Sequence, residues 1–238
     1  VSGGMSGERV EAAVEPRIRV LLVDDQALFR AGVRMLVGSQ PDLELAGEAA
    51  NGAEGVELAR SLRPDVVLMD IRMPVMDGIA ATTTIVADAE REGRTPPRIV
   101  VLTTFDLDEA AARAIRGGAS GFVLKDAEPE FLLAAIRTVH AGSAVIAAGA
   151  TRELFQYFSD DRPAKPEPAE FATLTSRERE IFVLAARGLS NAEIAGSEYL
   201  SEATVKTHIS RILAKLGLRD RVQMVVYAFE HGLTGATE

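Results

Sequence analysis

The alternation of short apolar runs with longer amphipathic stretches over the first 140 residues restricts the fold more than any other feature. Runs of strand length, rich in Val, Ile and Leu, stand at 18–23 (IRVLLV), 43–49, 66–69, 99–102 and 121–124. Between and after them, 26–37, 53–62, 78–89, 108–116 and 130–140 carry apolar residues at helical spacing. Pro129 suits the first turn of the last of these. Strict alternation of strand and helix implies a parallel sheet covered by helices on both faces. The expected class is therefore α/β, a doubly wound, five-stranded parallel sheet.

The pattern changes farther along. The stretch 142–173 reads as a linker with a short helix at 151–158, and SDDRPAKPEPAEFA within it carries three prolines and little to bury. From Leu174 to the end only helices are expected, making a small all-α domain over 174–238. Thr175 or Ser176 caps a helix to 187. Ser190 caps a short one ending near Gly196, Ser201 one to Leu216, and Asp220 one to His231. The first 16 residues are polar and acidic and read as a disordered tail, which leaves 17–141 for the α/β domain.

Charge separates the same two parts. The chain carries a net −9, yet 174–238 holds eight Lys/Arg and eight Asp/Glu, so the acidity lies wholly in the remainder. There are no cysteines, which excludes disulfides and thiolate chemistry. No apolar run is long enough to span a bilayer, and a cytoplasmic protein without membrane contact is expected.

Parallel strands present ligand-binding groups at their carboxyl ends. Asp24 and Asp25 follow the first strand and Asp70 the third. In the flavodoxin-like order 2-1-3-4-5 those strands are neighbours, so three carboxylates converge and repel. A hard divalent cation, Mg2+, relieves that repulsion and suits carboxylates, a carbonyl and waters. Thr103 ends the fourth strand with a hydroxyl donor and Lys125 follows the fifth with an ammonium. A carboxylate nucleophile with a metal, a hydroxyl and an ammonium beside it is equipped for phosphoryl transfer. Each group alone has an ordinary explanation, such as a helix cap or a solvated charge; their coincidence at one end of four strands does not.

The motifs VDD, LMDIRMPVMDG, LTT and GASGFVLK resemble those of receiver domains of two-component signalling, over about 18–141. The resemblance implies that Asp70 accepts a phosphoryl group from a partner histidine kinase. It implies Mg2+ on Asp25, Asp70 and the main-chain carbonyl of Arg72, with Asp24 acting through water. Thr103 and Lys125 would contact phosphoryl oxygens. Phe122 matches the switch aromatic, which turns inward when Thr103 moves.

In the helical part, two short helices joined by a tight turn offer a helix-turn-helix whose second helix enters a DNA groove. On that second helix Val205, Ile209, Ile212, Leu213 and Leu216 form an apolar stripe expected to be buried. Thr204, Lys206, Thr207, Ser210 and Arg211 lie off it. Its net charge of +2, from Lys206, Arg211 and Lys215 against Glu202, is modest, so a homodimer is needed for tight binding to double-stranded DNA. The segment is similar to the LuxR-type helix-turn-helix, and with a receiver domain it resembles the NarL/FixJ class of transcription regulators. By that resemblance Lys206, Thr207 and Ser210 face bases or backbone, and Thr204 and Arg211 face phosphates. Asp220 and Arg221 would be the cap and a phosphate-side contact before the last helix. That helix would supply dimer surface through Val225, Val226 and Phe229.

A phosphohydrolase using an aspartyl-phosphate usually needs an acid two residues after its nucleophile. Arg72 stands there, so a turnover enzyme is not expected. His140, His208 and His231 are scattered and form no ligand cluster.

Overall fold

The computed structural model describes residues 16–103, 109–142 and 168–233, without the side chains of 109–112 and 229. The expected tail, except Pro16, and the helix expected at 151–158 lie outside the described residues, as does most of the linker.

Five strands, β1 (Ile18–Val23), β2 (Leu43–Ala49), β3 (Val66–Asp70), β4 (Arg98–Thr103) and β5 (Gly121–Leu124), form one sheet in the order β2-β1-β3-β4-β5. Every pairing is parallel. The helices between them are α1 (Ala27–Gly38), α2 (Gly52–Leu62), α3 (Gly78–Arg91), α4 (Glu109–Arg116) and α5 (Pro129–His140). Strand parity divides the core. Val20 and Leu22 face Val33, Val37, Ile136 and Val139 on one side, while Leu21 and Val23 face Val56, Ala59 and Ile85 on the other. All five residues of β3 are buried, which is why its sequence lacks alternation.

The helical part comprises a 3-10 turn (Phe171–Thr173), α6 (Ser176–Ala186), α7 (Asn191–Glu198), α8 (Glu202–Leu216) and α9 (Arg221–Glu230). Thr175 with Glu178, and Ser190 with Glu193, make reciprocal capping boxes, while Ser201 caps through Thr204 N–H and Asp220 through Gln223 N–H. The core joins Phe171, Phe182, Ile194, Val205, Ile212 and Met224, with the two Phe rings edge to face at 5.0 Å. Two details differ from the sequence reading. Helix α7 runs through Gly196 to Glu198 and ends on Tyr199 in the left-handed region (φ 55). Leu213 is only half-buried, at the edge of the core.

The two parts touch. Val222 and Val226 of α9 join Ile71, Val101, Ile115 and Phe122 in one apolar cluster. Around it Gln223 Nε2 donates to Ile115 O (3.0 Å) and an Arg219 guanidinium N–H donates to Gly118 O, so the α8–α9 corner satisfies carbonyls at the end of α4. Arg98 Nη1 donates to Arg219 O (3.0 Å) and pairs with Asp220 Oδ2 (3.3 Å).

Candidate metal centre and nucleic-acid interface

Register places the acidic cluster. Val23 pairs with Met69, Asp70 with Leu102, and Thr103 with Leu124, so the ladders of four strands end at one level. Asp24, Asp70, Thr103 and Lys125 stand at that level, and Lys125 N–H donates to Thr103 O (2.7 Å), tying the last two together. Carboxylate oxygens of Asp24, Asp25 and Asp70 lie within 4.8 Å of one another. Asp24 is fully buried, Asp70 and Thr103 nearly so, and Asp25 is exposed at the mouth.

The loop after β3 folds back tightly: Gly78 N–H donates to Ile71 O (2.9 Å), and a Cβ on Gly78 would stand 1.9 Å from Asp70 O. Only glycine permits that approach. Arg72 N–H donates to Asp70 Oδ1 (3.4 Å), which sets the Arg72 backbone beside the cluster.

Lys125 Nζ bridges Asp24 Oδ2 (2.7 Å) and Asp70 Oδ2 (2.8 Å), and lies 5.0 Å from the centre of the Phe29 ring. Burial pulls the Lys125 ammonium down, but the two carboxylates together outweigh it and hold its pKa above the ordinary value. Burial pushes the Asp70 carboxyl up from its usual range, and Lys125 only partly offsets it. The contact to Asp24 is an ion pair, and it is the one charged partner of the fully buried Asp24 Oδ2 among the described residues. Three converging carboxylates that share one ammonium, with a main-chain carbonyl nearby, are a hard-cation donor set, and Mg2+ fits it. This double bridge was not legible from the sequence, which placed Lys125 only toward an incoming phosphate.

Phe122 is already turned inward, 2% exposed, within the cluster that also holds Val222 and Val226. The neighbouring α9 therefore packs on the expected switch residue.

On α8, Val205, Ile209, Ile212 and Leu216 are buried, and Thr204, Lys206, Thr207, Ser210 and Arg211 are exposed. Thr207 Oγ1 and Ser210 Oγ donate to the carbonyls of Ala203 and Lys206, which satisfies the hydroxyl protons and leaves lone pairs outward. Lys215 is turned away from that face: its Nζ pairs with Glu178 (2.7 Å). The outward charge of α8 is thus Lys206 and Arg211 against Glu202, less than the sequence count.

Arg221, expected as a phosphate-side contact, is half-buried and donates to Asn191 Oδ1 (3.1 Å), Ala185 O (3.2 Å) and Leu189 O, just after α6. Burial lowers its pKa to about 10. Val225 and Val226, expected on a dimer surface, are buried within the chain. His208 is half-buried with its Nδ1 unpartnered among the described residues.

A model of the response regulator receiver domain matches residues 20–137, and one of the bacterial regulatory proteins of the luxR family matches 172–228. The chain is 36% identical over 222 residues to the transcriptional regulatory protein LnrK of Bacillus subtilis, covering 91% of this chain and 99% of LnrK. It is 41% identical over 221 residues to the uncharacterized transcriptional regulatory protein YxjL of the same species, covering 91% and 97%. The crystal structure of a LuxR-family two-component response regulator from Aurantimonas sp. SI85-9A1 superposes with a TM-score of 0.54 at 32% identity, covering 59% of this chain and 97% of that one. With both family models matched in tandem, and relatives matched over nearly their whole length, the chain belongs to the NarL/FixJ-type response regulators, which join a receiver domain to a luxR-type helix-turn-helix.

Proposed function

We propose that this response regulator is a cytoplasmic transcriptional regulator in which a partner histidine kinase phosphorylates Asp70, and that phosphorylation favours a homodimer bound to double-stranded DNA. The reading assigns 17–141 to the receiver, 142–173 to the linker and 174–238 to DNA binding. The observation that carries it is the convergence of Asp24, Asp25 and Asp70 within 4.8 Å, with Lys125 bridging two of them.

Asp25, Asp70 and the Arg72 carbonyl would hold Mg2+, with Asp24 joined through water; the ion supplies charge neutralisation at the phosphoryl oxygens. An Asp70 carboxylate oxygen forms the new bond to phosphorus as the bond from phosphorus to the kinase imidazole nitrogen breaks. The imidazole leaves with the electron pair of that bond. Lys125 releases Asp70 and turns its ammonium to the transferred group, and the Thr103 hydroxyl donates to another of its oxygens. Movement of Thr103 and Lys125 loosens the packing around Phe122, and with it the seat of Val222 and Val226. A modification acts only through such a difference in stabilisation between two states.

On DNA, Lys206, Thr207 and Ser210 would face the major groove, and Thr204 and Arg211 the phosphates. Labelling with acetyl phosphate or a kinase tests the first step: Asp70→Ala should take up no acid-labile phosphate while keeping its far-ultraviolet circular dichroism. Label retained on a folded Asp70→Ala protein refutes the assignment.

A further inference from the structure

A cavity of about 730 Å3 lies away from the acidic cluster, between the start of β4 and end of α5 on one side and α7, α8 and the α8–α9 corner on the other. Its volume falls in the range of about 300–1,000 Å3 usual for small-molecule sites. Four cations line it, Arg98, Lys206, Arg219 and Arg221, against the single acid Glu202. In a chain of net charge −9 this is a local reversal of sign.

Arg98 is ion-paired with Asp220, whose charge also acts on Arg219 together with that of Glu90, while Glu193 acts on Arg221 from a distance. Among the described residues no carboxylate pairs with Lys206, Arg219 or Arg221. Arg219 and Arg221 are half-buried, and burial lowers both of their pKa values. They are held by carbonyl and amide oxygens, which orient a guanidinium without cancelling its charge. Ser190 and Asn191 stand on the same wall, at the amino end of α7 that Glu193 caps. Partly buried cations grouped in a cleft attract an anion more strongly than isolated surface ones.

We infer that this interdomain cavity binds a multivalent oxyanion of nucleotide size, carrying linked phosphates, and that bound anion holds the two domains together. Arginine forks favour phosphate oxygens. Arg98 belongs to the receiver side and the other cations to the helical side, so the full set exists only in the docked arrangement. The same ligand covers Lys206 and Ser210, residues assigned above to DNA. It therefore acts as a negative effector, and this consequence rests on the DNA-binding reading, whereas the site itself does not. At ten times its dissociation constant, such a ligand favours the docked state by about 11-fold.

Isothermal titration of the unphosphorylated full chain with tripolyphosphate, in Mg2+-free buffer, tests the site; the uncompensated acids at Asp70 repel a polyanion there. Saturable binding of one anion per chain is expected, weakened at least tenfold in Lys206→Gln and in Arg219→Gln, and unchanged in Arg34→Gln, which lies on α1 beside Glu48 near the opposite, carboxyl end of the sheet. Citrate serves as the carboxylate arm, and comparable citrate binding replaces the phosphate assignment with a general oxyanion site. Absence of saturation below about 1 mM, a multiple stoichiometry, or equal binding by Lys206→Gln and Arg219→Gln overturns the proposal. Such a failure leaves Asp70 labelling untouched, so the two readings fall separately. If binding holds, tripolyphosphate should also weaken DNA binding of the unphosphorylated chain, and an unchanged DNA affinity removes the effector role.

Discussion

Replacing Arg98 with alanine should open the contact between receiver and helix-turn-helix and make the unphosphorylated protein bind DNA more tightly. Arg98 is suited to this test because it touches neither the acidic cluster nor the exposed face of α8. Its Nη1 donates to Arg219 O and pairs with Asp220 Oδ2, across the domain boundary. The Asp220 side chain is 1% exposed, whereas Arg98 retains 24%. A fully buried pair broken on one side costs about 3–5 kcal/mol, and an exposed one under about 1. The partial exposure of Arg98 puts this pair between those limits, and Asp220 keeps the Gln223 N–H as a donor. We expect about 2 kcal/mol, which is about 30-fold in the docking equilibrium.

Fluorescence anisotropy with a labelled duplex reads the consequence. If docking excludes DNA, apparent affinity scales with the undocked fraction, so Arg98→Ala should bind up to about 30-fold more tightly. Small-angle scattering should show a larger radius of gyration for the same variant, and Arg98→Lys should fall between the two. Unchanged affinity together with an unchanged radius would mean that the contact contributes nothing to the closed state. The docking argument then fails, whatever Asp70 does.

Three further outcomes follow from individual residues. Val75 sits at φ 69 with 88% exposure, so Val75→Gly relieves left-handed strain without losing packing; a net gain of about 0.5–1 kcal/mol should appear as a higher urea midpoint with unchanged slope, and no gain contradicts the strain. Lys215 and the Thr175 N–H hold the Glu178 carboxyl at about 2, below its ordinary 4.5, so its stabilisation is complete above 4.5 and is lost as pH falls toward 2. Because Lys215 is partly exposed, Glu178→Gln should cost about 1–2 kcal/mol at pH 7, with thermal melts converging on wild type near pH 2; a pH-independent gap refutes the ion-pair origin. Arg211→Ala should weaken DNA binding evenly across sequences and reduce the salt slope by about 0.9 per protomer, whereas a change in sequence preference would make Arg211 a base reader.

The sheet and the acidic cluster were legible because both follow from local periodicity. Apolar runs of strand length fix the ladder, and the first polar residues after them, Asp24, Asp70, Thr103 and Lys125, mark its edge. The helix starts were legible for a similar reason, since Thr175, Ser190, Ser201 and Asp220 cap within three residues. Pairings between distant elements were not. Lys215 counted as a DNA-side charge until α6 brought Glu178 to it, and Arg221 as a surface cation until the carbonyls ending α6 enclosed it. Nothing in the spacing of either residue distinguishes solvent from such a partner.

The apolar face of α9 was legible, but its partner was not, and the difference bears on how the switch is built. Val222 and Val226 demand burial, and here the receiver provides it through Ile115 and Phe122. Val226 packed there is closed to a second copy of the chain, so docking and an α9-mediated dimer exclude each other. Phe122 lies three residues before Lys125 on the same strand run, paired with Val101, while Thr103 follows Val101 by two. A displacement of Thr103 and Lys125 is thus passed to the cluster through two adjacent strands. The size of the contact matters equally. Couplings between sites are typically about 1–3 kcal/mol, and full burial of one valine contributes about 1.5–3. A seat of two valines, one ion pair and three hydrogen bonds to carbonyls is large enough to hold the domains together. A much larger apolar interface would hold them too firmly for one phosphoryl group to release.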